Sequence, residues 1–309
     1  MNDHRSPLIL PLAIIVAILS VSTASLFIKF AQQEAPSLVI AALRLTIASL
    51  LLAPISIIRH KEELLSLSRK ELLLGFLAGF FLALHFATWI SSLEYTSVAS
   101  SVVLVSTGPL WVALLSPLIL HESLPRKIFW GLLLAVSGGF LIALSDSCVW
   151  QSRLICETFL TLQNSQSMIG NILALTGAFS ITGYLLIGRR LRTKISLIPY
   201  IFLVYSMAAF VLILFMLIAR QSPFGFPLST YGWIFMLALI PQIIGHSTYN
   251  WALRFMPATL VAILTLGEPI GSVSLAYFIL HESPGLVKII GGLFILSGIY
   301  LASRVQRKI

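Results

Sequence analysis

Apolar residues fall in blocks of about the length that crosses a bilayer as a helix, ~20 residues, with short polar or turn-forming clusters between them. The breaks predict ten spans, at roughly 8–28, 37–58, 72–93, 97–119, 127–145, 168–188, 197–218, 231–252, 257–280 and 286–303. Most connections are short. The longest, residues 146–167, is polar and mixed and divides five spans from five. The first block is not read as a secretory signal, because its apolar stretch is too long and no small-residue cleavage site follows it. The expected fold class is an all-α polytopic membrane protein of ten transmembrane helices.

Composition agrees with that reading. The 309 residues are 58% hydrophobic and only 10% charged, against ~25% charged in a soluble domain. Too few charges remain to cover a water-soluble surface, which excludes most soluble enzymes, disordered chains and disulfide scaffolds. The net charge of +9 would point to nucleic acid in a soluble protein; in a membrane protein it reports basic cytoplasmic loops. With the N-terminus placed inside, the inner segments hold Arg5, Arg59, Lys61, Arg69, Lys70, Arg126, Lys127, Arg189, Arg190, Arg192, Lys194, Arg254, Arg304, Arg307 and Lys308. The outer segments hold only Lys29, Arg153, Arg220 and Lys288. That bias supports a multi-pass protein of the plasma or inner membrane with both termini cytoplasmic.

The chain also matches itself when shifted by 160 positions. Pro109 falls on Pro269, and Ile119-Leu120-His121-Glu122-Ser123 falls on Ile279-Leu280-His281-Glu282-Ser283. Gly131 falls on Gly291, Ser137-Gly138 on Ser297-Gly298, Ser20 on Ser180 and Lys29 on Arg189. Each half has five spans, an odd number, so the second copy enters the membrane in the opposite sense. Two inverted five-helix repeats are therefore expected, 8–145 and 168–303, joined by an extracytoplasmic loop at 146–167 and followed by a basic tail at 304–309. Inverted repeats around one central site are characteristic of secondary transporters.

These residues resemble the drug/metabolite transporter superfamily, in its ten-span branch built from two EamA domains. The likeness rests on Arg44, on Ser106-Thr107-Gly108-Pro109-Leu110-Trp111 leading to Leu120-His121-Glu122, and on Leu266-Gly267-Glu268-Pro269 leading to Leu280-His281-Glu282, with the Gly131…Gly138 and Gly291…Gly298 helices after them. It implies a rocking carrier with a central cavity that exports or exchanges small metabolites or drugs. Family members often carry Trp-Gly in the first span; here Ser20-Val21-Ser22-Thr23 stands there.

An ionisable side chain deep in a span costs roughly 2.5–3.5 kcal/mol on insertion scales, and so should face a cavity or a partner. Glu268 is the strongest candidate, near mid-span beside Pro269, which removes a backbone donor. It would bind substrate or a coupling proton; the bland alternative is a structural carboxylate. Arg44 lies about ten ångströms into its span at 1.5 Å per residue. It could bind a substrate carboxylate or phosphate, pair with Glu268, or merely snorkel. His85 and His246, near mid-span, could shuttle protons, although a lone histidine is more often simply hydrogen-bonded to a neighbour. Thr107, Trp111, Tyr249 and Asn250 fill out the candidate cavity, as do Ser22, Thr23, Trp89, Ser106, Tyr184 and Tyr205. Pro109 and Pro269 are hinge candidates; Glu122 and Glu282, at span ends, are read as caps.

Cys148 and Cys156, both in the outer loop, could form a disulfide in an oxidising compartment. No metal or cofactor motif is visible: His121-Glu122 and His281-Glu282 each lack the second histidine of a zinc site. The leading function is a non-enzymatic, secondary-active exporter of small organic metabolites such as amino-acid-like solutes or drugs. Its expected partners are a small-molecule substrate, a proton as coupling ion, the lipid bilayer and a second copy in a homodimer, with no nucleic acid. The alternative is a flippase for lipid or lipid-linked precursors. An intramembrane enzyme is remote, because Glu268, Arg44 and two separated histidines supply no convergent catalytic set.

Overall fold

The computed structural model describes residues 9–121, 125–151, 153–156, 166–281 and 286–303. Among them the protein is helical apart from one hairpin. The first half runs α1 (Ile9–Ser22), α2 (Ala24–Ala31), α3 (Ser37–Arg59), a short α4 (Lys61–Leu65), α5 (Arg69–Tyr95), α6 (Val98–Val105), α7 (Gly108–Ile119) and α8 (Arg126–Ser147). Strands β1 (Cys148–Gln151) and β2 (Arg153–Cys156) pair antiparallel. The second half runs α9 (Gln166–Arg192), α10 (Leu197–Ile218), α11 (Leu228–Leu237), a π-helical stretch Ala238–His246, α12 (Ser247–Ala252), α13 (Ala258–Thr265), α14 (Glu268–Leu280) and α15 (Leu286–Ser303).

Seven helical segments among the described residues are long and apolar enough to cross a membrane: Ile9–Ala31, Ser37–Arg59, Arg69–Tyr95, Gln166–Arg192, Leu197–Ile218, Leu228–Ala252 and Ala258–Ile279. Helices α6 with α7, α8 and α15 occupy the three other stretches where spans were expected. The hairpin amends the all-α expectation within the long connection. Its register sets Cys148 opposite Cys156 along the backbone. Glu122, Glu282 and the tail 304–309 lie outside the described residues.

Three of the apolar segments are broken, and the breaks have local causes. Pro109 and Pro269 each sit in the first turn of a helix and lack an N–H. Just before them the chain tightens. Thr107 N–H donates to Leu104 O at 3.1 Å, and Gly267 N–H to Leu264 O at 3.2 Å. The carbonyls four residues before each proline, on Val105 and Thr265, thereby lose the donor an unbroken helix would supply. The third break is at Thr23.

The repeated Leu-His-Glu sequence has a physical origin too. His121 and His281 both take a left-handed conformation, φ 58°, where α7 and α14 end. Such a residue closes a helix end, and histidine tolerates the position better than most non-glycine residues.

Helices α5 and α9 lie antiparallel in close contact. A Cβ at Gly170 would meet Thr96, at Gly177 Thr88, and at Gly183 the Phe81 ring, so small residues along α9 admit the α5 backbone. The ends of the bundle are tied by a recurring pattern. At the C-terminal ends of α2 and α5, Lys29 Nζ donates to Leu93 O and Gln32 Nε2 to Ile90 O at 2.8 Å. At the C-terminal ends of α9 and α12, Arg189 donates to Leu253 O at 2.5 Å and Arg192 Nε to Asn250 O at 3.0 Å. Every residue in the second set lies 160 positions after its counterpart in the first.

Helix N-termini are capped from a distance. Glu94 accepts from the Ser37 amide at 3.1 Å and from its hydroxyl, at the start of α3. Glu63 accepts the Ser196 amide at 2.6 Å and its hydroxyl at 2.5 Å, at the start of α10. A carboxylate at a helix N-terminus also meets the positive end of the helix dipole. Partial burial pushes the Glu63 carboxyl up, but the Ser196 bonds and nearby His60 outweigh it and hold it below the usual carboxylate value.

Two measurements check this packing. A Cβ on Gly138 would press on the Gly291 carbonyl and come within 2.9 Å of Ile295 N, whereas one on Gly292 would meet nothing within 4 Å. Gly138→Ala should destabilise the protein by about 1–3 kcal/mol, read as a lower melting temperature in detergent, and Gly292→Ala should be neutral. Glu63→Gln should also lower stability at neutral pH. A depressed carboxyl stabilises above its unfolded value of about 4.3 and loses that effect as pH falls through its folded value. The difference between wild type and variant should therefore close as pH drops below ~4, and a constant difference would count against the cap.

Candidate functional site

The broken segments meet at one central cavity. Val21 of α1, His85 and Trp89 of α5, Val105, Ser106, Gly108 and Pro109 at the α6–α7 break, and Ile181, Tyr184 and Leu185 of α9 line one part of it. His246 from the end of the π-helical stretch, Tyr249 of α12, Ala262 and Thr265 of α13 and Glu268 at the start of α14 complete it. Four pairs in this lining are separated by 160 positions: Val21 and Ile181, Trp89 and Tyr249, Val105 and Thr265, Gly108 and Glu268. Both halves thus contribute equivalent walls, and the last pair is unequal: a hydrogen on one side, a carboxylate on the other.

Glu268 is half-buried at the first position of α14, where the helix dipole favours a negative charge. The Tyr249 side chain neighbours its carboxyl. Its backbone carbonyl accepts a bond from Ser22 Oγ at 3.3 Å, and Ser272 Oγ returns one to Ser22 O at 3.1 Å. These bonds fix the break against α1. Another cavity-lining group, Trp89 Nε1, is buried without a hydrogen-bond partner. Such groups are costly to leave unmade. The lining is otherwise aromatic and apolar, and His85 stacks on Trp89 with ring centroids 5.8 Å apart.

The cavity measures about 60 Å³, well below the ~300–1,000 Å³ of a ligand pocket. Admission of a molecule of drug size would require the surrounding helices to part.

Of the residues singled out in the sequence, Glu268, His85, His246 and Tyr249 are brought together on the cavity wall, as are Trp89, Ser106 and Tyr184. His85 Nδ1 lies 3.0 Å from Gly177 O, which leaves Nε2 for the cavity. Arg44, Thr107, Trp111 and Asn250 lie outside the lining. Thr107 bonds its own helix at Leu104 O, 2.8 Å, and Trp111 is exposed and edge-on to Phe179. Asn250 stands one layer back: it accepts from the Tyr184 hydroxyl at 2.7 Å and donates to the Tyr205 hydroxyl at 3.3 Å. Arg44 is fully buried but does not bond Glu268. Its Nε donates to Gln242 Oε1 at 3.0 Å and its guanidinium carbon lies 4.1 Å from the centre of the Phe86 ring.

Sequence reasoning missed Gln242 and Phe86. Gln242 is an amide in the middle of an apolar segment, next to Pro241, which is a signal in itself. Phe86 carries none, because a phenyl ring in an apolar helix is unremarked until a cation is found against it.

A chain of candidate membrane spans around a cavity with helices broken at its walls is a multi-pass membrane transporter, and comparison with known proteins gives its family. The EamA-like transporter family matches twice, over residues 8–144 and 168–304, and the chain belongs to it. An uncharacterized transporter of Archaeoglobus fulgidus is 26% identical over 285 residues, 92% of this chain and 93% of the relative. The pseudopaline exporter CntI of Pseudomonas aeruginosa is 23% identical over 294 residues, 95% of each chain. The uncharacterized transporter YyaM of Bacillus subtilis is 24% identical over 251 residues, covering 80% of this chain and 77% of the relative. A crystal structure with 18% sequence identity aligns with a TM-score of 0.75 over 98% of this chain and 99% of its own, which speaks for the fold.

The layer behind the cavity is testable on its own. Asn250→Ala leaves the Tyr184 hydroxyl without its partner and removes a bond to Tyr205. It should lower stability by about 1–3 kcal/mol, seen as a lower melting temperature. Trp111→Ala, at an exposed position, should shift it much less.

Proposed function

We propose that the protein is a secondary-active exporter of small organic metabolites, amino-acid-like solutes or drugs, working by alternating access. The moving parts are two inverted five-helix repeats, residues 8–145 and 168–303, with both termini cytoplasmic in the plasma or inner membrane. Three observations support the repeats: the doubled family match, the helix-end bonds that recur at a constant offset, and cavity-lining positions that pair across the same offset. Two copies of one fold facing opposite ways can exchange conformations and open a shared site to each side in turn.

The single observation that carries the reading is Glu268, the cavity's carboxylate, placed at a helix break where one half of the molecule has Gly108. A carboxylate there takes either the ammonium group of a substrate or a coupling proton, and proton coupling needs both in turn. Trp89 Nε1 supplies a donor for an acceptor group on the same solute, and the aromatic walls hold its apolar body. The relative in Pseudomonas aeruginosa is named as an exporter of pseudopaline, which agrees with export of a small polar metabolite.

A second reading, lipid or lipid-linked precursor flipping, is favoured by an apolar groove between α14 and α15. Pro269, Val273, Tyr277, Ile289, Gly292 and Leu293 line it, beginning at the residue after Glu268. The two readings separate in one experiment. Mass spectrometry of medium and membranes from cells expressing wild type or Glu268→Gln at matched levels should show a soluble metabolite released by wild type and reduced about tenfold or more in the variant, the effect of losing one charged hydrogen bond. A change confined to lipids would instead support flipping. Equal release from both chains at every pH would remove Glu268 from the mechanism.

A further inference from the structure

We infer that Arg44 is the anchor for a carboxylate group of the transported solute, in a subsite closed off from the central cavity by the ring of Phe86. The word solute rests on the exporter reading above; the anion subsite stands on geometry of its own.

Among the described residues two arginines are fully buried, and they are treated differently. Arg192 is satisfied by the chain: Nε donates to Asn250 O at 3.0 Å and a terminal nitrogen donates to Ile195 O. Arg44 has only the Nε bond to Gln242 Oε1 at 3.0 Å, and both of its terminal nitrogens are buried without a partner. No carboxylate bonds it among the described residues: Glu268 acts on it only through space, and Gln242 Nε2 beside it is also unpartnered. The site therefore presents several donors and no acceptor to match them. A buried charge or donor without a partner is expensive. Beyond the Gln242 bond and the field of Glu268, the contact in place at the fork is the Phe86 ring, whose centre lies 4.1 Å from the guanidinium carbon, a contact of roughly 0.5–2 kcal/mol.

A guanidinium fork matches a carboxylate with two parallel hydrogen bonds. Phe86 stands where access from the cavity would run. Its ring centre is 4.9 Å from that of His85 and 5.4 Å from that of His246, and both imidazoles line the cavity. Arg44 itself does not reach the lining. The subsite is thus one ring layer behind the wall. Rotation of Phe86 exchanges a cation–π contact for an ion pair, so a neutral solute leaves the ring in place and a carboxylate displaces it. Gln242 belongs to the π-helical stretch Ala238–His246. Such stretches widen a helix by one residue per turn and occur often at functional sites. Here it carries Gln242 to Arg44 and His246 to the cavity.

The test uses the purified full-length protein in detergent, with thermal unfolding followed at constant ionic strength. The probes are sodium acetate, sodium phenylacetate, neutral phenylacetamide and sodium phosphate. Phenylacetate should raise the melting temperature with concentration, acetate more weakly, and phenylacetamide and phosphate should not. Arg44→Gln should abolish the carboxylate shift. Phe86→Leu stays apolar but loses the ring face, and should lower the half-saturating phenylacetate concentration by about 2- to 30-fold, the equivalent of the stacking released. Should Arg44→Gln fail to fold, the Phe86→Leu arm decides alone. An equal shift with phenylacetamide, a response to phosphate only, a shift retained in Arg44→Gln, or no carboxylate shift in wild type and Phe86→Leu would each overturn the inference. Glu268-dependent export is measured separately in cells, so failure of the anion subsite leaves that reading standing, and failure of export leaves the subsite standing.

Discussion

Everything in this molecule depends on one constraint: a backbone polar group inside a bilayer must find its partner within the protein. Unbroken helices meet that demand alone, and most of the chain is spent on them. The exceptions sit where they can be accommodated. Pro109 and Pro269 interrupt two helices at corresponding points, the chain tightens to local bonds on one side of each break, and the released carbonyls of Val105 and Thr265 belong to residues of the cavity wall. The cavity is therefore a consequence of where helical bonding is allowed to lapse.

Polar side chains follow the same logic in layers. Closest to the cavity stand Glu268, Trp89, Tyr249 and the two histidines, groups with hydrogen-bonding capacity in hand. Behind them lies a satisfied network in which Asn250 joins Tyr184 to Tyr205 and Arg192 ties down the Asn250 carbonyl. The rear network joins α9, α10 and α12 behind the front layer. Arg44 is the exception in the rear layer, buried as deeply as Arg192 but without its partners, and that difference is what marks it.

The two halves are alike in frame and unlike in charge. Their helix ends are tied by the same bonds, α7 and α14 end in the same left-handed histidine, and four pairs of cavity-lining positions match across the offset. Gly108 against Glu268 breaks the equivalence, as does Trp89 against Tyr249. A scaffold needs the likeness; recognition of an asymmetric solute needs the difference.

Much of the frame was legible from sequence because membrane helices announce themselves by length and apolarity, and because the 160-residue offset repeats turn, proline and capping residues together. Glu268 was legible for a related reason, since an acid in the middle of an apolar block has few physical justifications. The roles of Arg44, Asn250 and Trp111 were not. Whether a side chain reaches the cavity, stands one layer behind it or turns outward depends on helix rotation and on which neighbour it packs against, and a helix that is apolar on every face gives no periodicity from which to read that rotation. Gln242, Phe86 and the π-helical stretch that sets them against Arg44 are properties of packed helices alone. Sequence determined the elements, their doubling and the residues able to carry charge; only the tertiary structure decided which of those groups are bonded within the protein and which are buried without a partner.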